Sequence, residues 1–294
     1  MSPLTRLNEA DLRLLRIFRT VVECGGFSPA EVELNISRPA ISQHMADLEQ
    51  RLGLTLCQRG RAGFRLTTEG EAVYQALLRM FAAVENFRGE INALREHLRG
   101  ELNIGITDNL VTSPRMRVTR ALRALKTQGP EVRVNIRMVP PSQIERGVLD
   151  GQLHVGIIPA GRTLPGLREL PLYDEVSHLY CAAEHPFFAR AGVVDAAAIA
   201  GADAVAPSGL TSEHPLRVTA TAADREGVAF LILTGCYIGF LPTHYARQWE
   251  ERGQMRAIRP DLYAQTVEYQ AVTSRSGHPN LVLSTFLNFL ERQE

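Results

Sequence analysis

Cysteine is scarce and scattered. Cys24, Cys57, Cys181 and Cys236 are the only four in 294 residues and form no CxxC pair. That excludes a disulfide scaffold and fits a reducing cytosol. Long apolar runs are missing too, none approaching the roughly 18 residues of a membrane span. Met1 to Leu15 carries Arg6, Glu9, Asp11 and Arg13, so this stretch lacks the apolar core of a signal peptide. Lysine is almost absent, Lys126 being the one lysine among 32 basic residues. Net charge is zero, because 32 acidic side chains balance those 32. The signatures HExxH, GxSxG and GKS/T do not occur, and the eight histidines never stand at metal-ligand spacing with cysteine. No enzyme, metal or cofactor is therefore expected. What remains is 45% hydrophobic and 22% charged, a globular composition long enough for two domains or three.

The charge balance hides an uneven placement. Residues 34–46 and 52–68 contain no acid, yet hold Arg38, Arg59, Arg61 and Arg65. Such windows can meet phosphate, although any one basic side chain is more often solvated surface. Around them the first 66 residues read as three helices and a hairpin. Asn8 caps a helix with Leu14, Leu15, Phe18, Val21 and Val22 on one face, ended by Gly25-Gly26. Ser28-Pro29-Ala30-Glu31 has the form of a capping box with proline at the first helical position. Asn35-Ile36 breaks that helix before Ser37 caps a third, whose buried face is Ile41, Met45, Leu48 and Leu52. The opposite face carries Arg38, Ser42, Gln43 and Gln50. After Gly53, residues 55–59 and 64–67 flank a glycine-rich turn as two short strands. A winged helix-turn-helix and a plain three-helix bundle both fit this pattern.

The motifs go further. Phe27-Ser28-x-Ala30…Leu34-x-Ile36-Ser37-x-Pro39-Ala40-Ile41-Ser42, then Leu48-Glu49-x-x-Leu52-Gly53-x-x-Leu56 and Arg65-Leu66-Thr67-x-x-Gly70, closely resemble the LysR-type transcriptional regulators. The resemblance implies a winged helix-turn-helix over residues 1–67 that binds promoter DNA. Three departures touch base preference: Glu31 for a second alanine, Arg38 for a common glutamine, and Gln43 for a common arginine. Ser37, Arg38, Pro39, Ser42 and Gln43 lie near the end of the helix that enters the major groove. Arginine can read guanine and glutamine can read adenine, while serine can read a base or hold phosphate. Pro39 can touch a thymine methyl. Ser28 joins this DNA-facing set. Arg59, Arg61 and Arg65 in the wing suit phosphate or the minor groove.

Thr68-Glu69-Gly70-Glu71 reads as another capping box. Val73, Leu77, Met80, Val84, Phe87, Ile91, Leu94 and Leu98 then follow in alternating steps of four and three. That is a heptad seam of period 3.5, which wants a partner helix, rather than the 3.6 of a helix lying on its own domain. A helix of about 30 residues would span roughly 45 Å. The resemblance assigns residues 68–99 as a linker helix that builds a homodimer or homotetramer.

From about residue 100 strand and helix alternate. Strands are expected over 102–106, 132–138, 154–158, 176–182, 237–241 and 267–273, with helices within 114–126, 142–150, 223–234, from 243 and over 280–291. The βαβαβ order of the first set, 102–158, implies a parallel sheet covered by helices. Leu149-Asp150-Gly151-x-Leu153-His154-Val155-Gly156-Ile157 and Gly235-x-x-Ile238-Gly239-Phe240-Leu241-Pro242 resemble the effector half of LysR regulators. The overall class is thus α/β: winged helix-turn-helix, linker helix, and a two-lobed effector domain like a type 2 periplasmic binding protein. Lobe I would hold about 100–160 and 267–294, and lobe II about 165–265. His154 stands where the family often has aspartate.

Open α/β sheets bind ligands at the carboxyl ends of strands, near helix N-termini. The loops there offer Thr107, Asp108, Asn109, Ser142, Pro159 and Ser208 as effector-binding candidates. Hydroxyls and amides suit a small carboxylate, whereas Asp108 suits an amine, so a zwitterion satisfies both. Ser142 with Glu145, and Asp108, also have the form of helix caps. Cys181 and Cys236 fall in apolar runs and read as core residues rather than a redox pair. The implied protein is a cytoplasmic, DNA-binding regulator that also meets RNA polymerase. Its rivals are a solute-binding protein without a regulatory role and an enzyme with a two-lobe cleft.

Overall fold

A computed structural model describes residues 7–60, 63–93, 98–107, 110–114, 117–207, 214–275 and 281–292. The chain divides into two compact units, Met1–Val84 and Glu85–Glu294.

In the first unit, helix α1 spans Glu9–Glu23, α2 Phe27–Leu34 and α3 Arg38–Leu52. Strands β1 (Cys57–Gly60) and β2 (Gly63–Leu66) pair antiparallel as the wing, and α4 runs over Thr68–Ala93. The Asn8 side chain accepts from the Asp11 N–H at 2.9 Å while Asp11 accepts from the Asn8 N–H at 3.0 Å, closing a capping box on α1. Asp11 is buried and receives Arg51 of α3 on both carboxylate oxygens, at 2.5 and 3.0 Å. The guanidinium holds that carboxyl below its usual range. Phe18, Val21, Ile41, Met45, Leu48 and Leu56 fill the core between the helices and the wing.

Two expected caps fall elsewhere, by two residues at α2 and by one at α4. Helix α2 starts at Phe27, so Ser28 is already inside it and makes no cap. The α4 cap is Thr67, whose Oγ1 accepts from the Gly70 N–H at 2.9 Å, not Thr68. Gly70 is obligatory there: a Cβ would stand 1.9 Å from the Leu56 carbonyl oxygen.

The second unit contains one mixed sheet. Its strands are β3 (Gly100–Ile106), β4 (Val132–Met138), β5 (Val155–Pro159), β6 (Leu167–Ala182), β7 (Asp203–Pro207), β8 (Arg217–Ala222), β9 (Ile238–Pro242), β10 (Met255–Ala257) and β11 (Ala264–Ser274). They lie in the order β4-β3-β5-β11-β6-β9-β7-β8, with β10 on β6. Pairs β3–β4, β3–β5, β7–β8 and β7–β9 are parallel as expected, but β11 and β6 run antiparallel to each other and to their neighbours β5 and β9. The parallel pairing expected for the βαβαβ run is present at both edges, and the antiparallel strands β6 and β11 cross between them.

Helices α5 (Val118–Gln128) and α10 (Leu281–Glu291) cover one face of the first lobe, and α6 (Pro141–Leu149) the other. Gly156 lets α6 come close, since a Cβ would meet the Ile144 side chain at 2.2 Å. In the second lobe, α7 (Ala196–Gly201), α8 (Arg225–Leu233) and α9 (Thr243–Glu250) pack on β6, β7 and β9 through Ile199, Val228, Ile232 and Tyr245. No helix among the described residues is long and apolar enough to cross a membrane.

The heptad seam is divided between these cores. Leu77 is 3% exposed and packs with Leu15 and Leu48, with Val73 and Met80 partly buried beside it. Val84, Phe87 and Ile91 are exposed, at 46, 62 and 41%. Leu94 lies outside the described residues. Leu98 lies beyond the described helix and packs against the core of the second unit, beside Gly129. The assignment of Leu77 and Leu98 to a helix–helix seam is therefore corrected. Period 3.5 and period 3.6 differ too little over two turns to separate a domain-facing stripe from a partner-facing one.

Candidate functional site

The N-terminal end of α3 presents Ser37, Arg38, Pro39 and Gln43 to solvent, with Ser42 half-buried. Asn35 closes α2 in the left-handed conformation (φ 52°), a short polar residue suited to it. Ser37 is extended, yet its hydroxyl makes no cap. The cap comes from α2: the Arg38 N–H donates to Glu31 Oε1 at 2.5 Å. Glu31, expected in a box with Ser28, is thus committed to the next helix. Gln43 Nε2 donates to Asp47 Oδ1 at 2.7 Å, which orients the amide along the helix. Glu49 Oε1 accepts from the Leu56 and Cys57 N–H groups at 2.7 and 3.3 Å and fixes the turn into the wing. Ser28 is exposed in the first turn of α2, and Arg65 is exposed on β2. The Arg59 side chain and Arg61 lie outside what the structure describes.

The second polar constellation sits where β6 and β11 pass from one lobe to the other. Residues 169–171 of β6 pair with the part of β11 that also pairs β5, whereas 177–180 pair β9. Between them stand Tyr173 and Glu175 on β6 and Tyr269 on β11. Glu175 is 3% exposed, and each of its oxygens has a partner. Oε1 accepts from Arg225, the first residue of α8, and Oε2 lies 2.8 Å from His244 Nε2 at the start of α9. Arg225 also donates to the Tyr269 hydroxyl at 2.6 Å, which is hydrogen-bonded to Thr107 as well. His244 Nδ1 lies 2.7 Å from Thr112 Oγ1 in the short helical turn Leu110–Thr112 after β3. Tyr173 stacks on Tyr269 at 5.3 Å between centroids. Burial pushes the Tyr269 phenol up to about 12 and raises Tyr173 as well, so both remain neutral hydroxyls. Two buried polar atoms have no partner among the described residues, Tyr173 Oη and Gln270 Nε2.

Of the described effector candidates, Thr107 joins this cluster and Ser142 and Pro159 do not. It is buried at the end of β3, its hydroxyl also donating to the Ile157 carbonyl at 3.3 Å. Ser142 is exposed in the first turn of α6 and caps nothing, the N-cap being Pro140. Pro159 closes β5, half-buried. Asp108, Asn109 and Ser208 lie outside the described residues. Sequence reasoning missed Glu175, Arg225, His244, Tyr173 and Tyr269. Asp224 does cap α8, accepting from the Gly227 N–H at 2.7 Å, and that signal alone could have drawn attention to Arg225. Cys181 is buried, its thiol pushed up to about 12 by burial, so it is inert. Cys236 is exposed in the turn after α8, which corrects its reading as core.

Comparison with known proteins decides between the readings left open. Residues 12–71 match the family described as bacterial regulatory helix-turn-helix protein, lysR family, and residues 95–294 match the LysR substrate binding domain. The chain belongs to the LysR family. This LysR protein is 54% identical over 291 residues to the HTH-type transcriptional activator BauR of Pseudomonas aeruginosa, covering 97% of this chain and 95% of that one. It is 23% identical to the regulator CbbR of Xanthobacter flavus, over 96% of this chain and 87% of that one. Its fold is similar to that of full-length CbnR complexed with its target DNA (TM-score 0.68, 20% identity, 96 and 99% of the two chains). It is also similar to that of the Vibrio cholerae virulence activator AphB (TM-score 0.57, 16% identity, 95 and 98%). LysR proteins are DNA-binding transcriptional regulators, not enzymes, and the three-helix-bundle and two-lobe-enzyme readings fall away.

Proposed function

We propose that this LysR regulator is a cytoplasmic activator whose effector is a small zwitterion taken between the lobes at Glu175 and Arg225. The activator sense follows the name of its relative BauR. The observation that carries the ligand reading is the buried, mutually compensated pair at the β6–β11 crossover. A carboxylate and a guanidinium together are neutral, so a ligand with one net charge would leave an uncompensated buried charge. A zwitterion exchanges partners without changing the sum: its cation goes to Glu175, its anion to Arg225. The Tyr173 and Gln270 atoms supply a further acceptor and donor. Thr107 belongs to this set, and Asp108, Asn109, Ser142, Pro159 and Ser208 remain candidates for the rim.

Binding there would shift the populations of lobe arrangements and, through them, promoter occupancy and contact with RNA polymerase. Dimers, or dimers of dimers, would form along Val84, Phe87 and Ile91. Ser28, Ser37, Arg38, Pro39, Ser42 and Gln43 are proposed to face the major groove, with Arg59, Arg61 and Arg65 on phosphates.

Thermal shift of the full chain with small amino acids, matched carboxylates and matched amines tests the ligand class. Zwitterions alone should stabilise it, by about 2.7 kcal/mol at 100 times Kd. Glu175→Gln and Arg225→Gln should both abolish that gain. Stabilisation by apolar compounds, indifferent to both substitutions, would overturn the assignment.

A further inference from the structure

We propose that Glu31 sets DNA specificity by occupying the N-terminal pole of α3 in place of a backbone phosphate and turning a negative charge toward the DNA. The inference rests on the reading that α3 enters the major groove. A helix N-terminus carries unpaired N–H groups and a partial positive charge, and in DNA-binding helices those groups commonly take a phosphate. In α3 that pole is already spent. The Arg38 N–H donates to Glu31, Pro39 has no N–H, and the Ile41 N–H donates to the Ser37 carbonyl at 3.0 Å. At most the Ala40 N–H is left for DNA. The window 34–46, free of acid in sequence, is not free of acid in space, because Glu31 reaches into it from α2.

A carboxylate at this point does two things. It locks Arg38, the first helical residue, relative to α2, and it leaves the Ser37 hydroxyl uncommitted to the helix. It also places a negative charge where backbone phosphates pass. That repulsion acts on every sequence alike, whereas a base contact by Arg38 acts only on the right one. The net effect is to lower non-specific binding and widen the gap between correct and incorrect sites.

The test uses the full chain, a duplex it selects from a randomised pool, and a scrambled duplex of the same length, titrated by fluorescence anisotropy across a salt series. Glu31→Gln keeps an oxygen to accept from Arg38 but removes the charge. It should melt like the wild type and bind the scrambled duplex about two- to fivefold tighter, the range of an exposed charge interaction. Its log K against log salt should steepen by about 0.9 for each recognition helix engaged. The selected duplex should gain less, so the specificity ratio falls. Glu31→Ala should shift binding the same way and also lower Tm. Unchanged affinity and slope of Glu31→Gln on scrambled DNA, or equal loss on both duplexes at unchanged Tm, overturns the proposal. Arg38→Ala separates the two levels. If it binds the selected duplex like the wild type, the groove reading falls and the proposal with it. If it loses that site while Glu31→Gln is silent, only the role of Glu31 is refuted.

Discussion

His154 Nδ1 accepts from the Asn103 N–H at 3.1 Å, and the His154 N–H donates to the Asn103 carbonyl at 2.8 Å. An aspartate, which LysR regulators often carry here, would offer the same acceptor. The histidine must stay neutral to do so, and burial lowers its pKa below 6.5. His185 is also buried and lowered, its Nδ1 accepting from the Phe187 N–H at 3.1 Å. In the unfolded chain both imidazoles take up a proton near pH 6.5, and in the folded chain only at lower pH. Stability is therefore full above about pH 7 and declines as the pH falls from about 6.5 toward the folded values. Melts at about pH 7.5 and 5.5 should show this loss, and His154→Asp should reduce it, with the His185 share remaining. An equal loss in both proteins would remove His154 as its source.

Element by element, the sequence announces what is local and periodic. The faces of α1 and α3, the Asn8 cap and the wing follow from spacing and capping residues. Strand β6 was legible only from Val176, because Pro171 and its charged neighbours argue against a strand interior; the structure puts Pro171 opposite Gln270, at the irregularity in the β6–β11 pairing. The crossover cluster was not legible, since its contacts join residues 50, 69 and 44 positions apart. No period links such residues. The α4 seam shows the opposite failure: one unbroken pattern serves three surroundings. Phe87→Asp or Ile91→Asp should weaken the oligomer, seen by light scattering, with the winged unit intact. Leu77→Ala should instead cost about 2–5 kcal/mol of that unit's stability without dissociating it. Gly70→Ala, which drives a Cβ onto the Leu56 carbonyl, should cost about 2–4 kcal/mol, measured by thermal melting.

For the whole effector half, the Glu175–Arg225 pair can be separated from mere structure. Arg225→Met leaves the buried Glu175 carboxylate without its guanidinium partner, with His244 as its remaining described one, and should cost about 3–5 kcal/mol. Adding Glu175→Leu should recover most of that loss, because an apolar pair of similar volume replaces a compensated ionic one. The double variant should fold, bind DNA, and fail to respond to any zwitterion in a promoter-binding titration. Retained response would place the effector elsewhere.

The two strands that carry this pair have a mechanical consequence. β6 and β11 stay in register over eleven partnered positions, interrupted once, where Leu172 is skipped between Tyr173 and Pro171. A ribbon of two hydrogen-bonded strands resists stretching and sliding but yields to twisting, and an extra residue raises the local twist. The lobes are thus joined by a torsion bar with its softest segment beside Arg225 and Tyr269. A ligand bound there, as proposed, would act at the most twistable point and turn one lobe about the ribbon axis more readily than it would change the distance between the lobes.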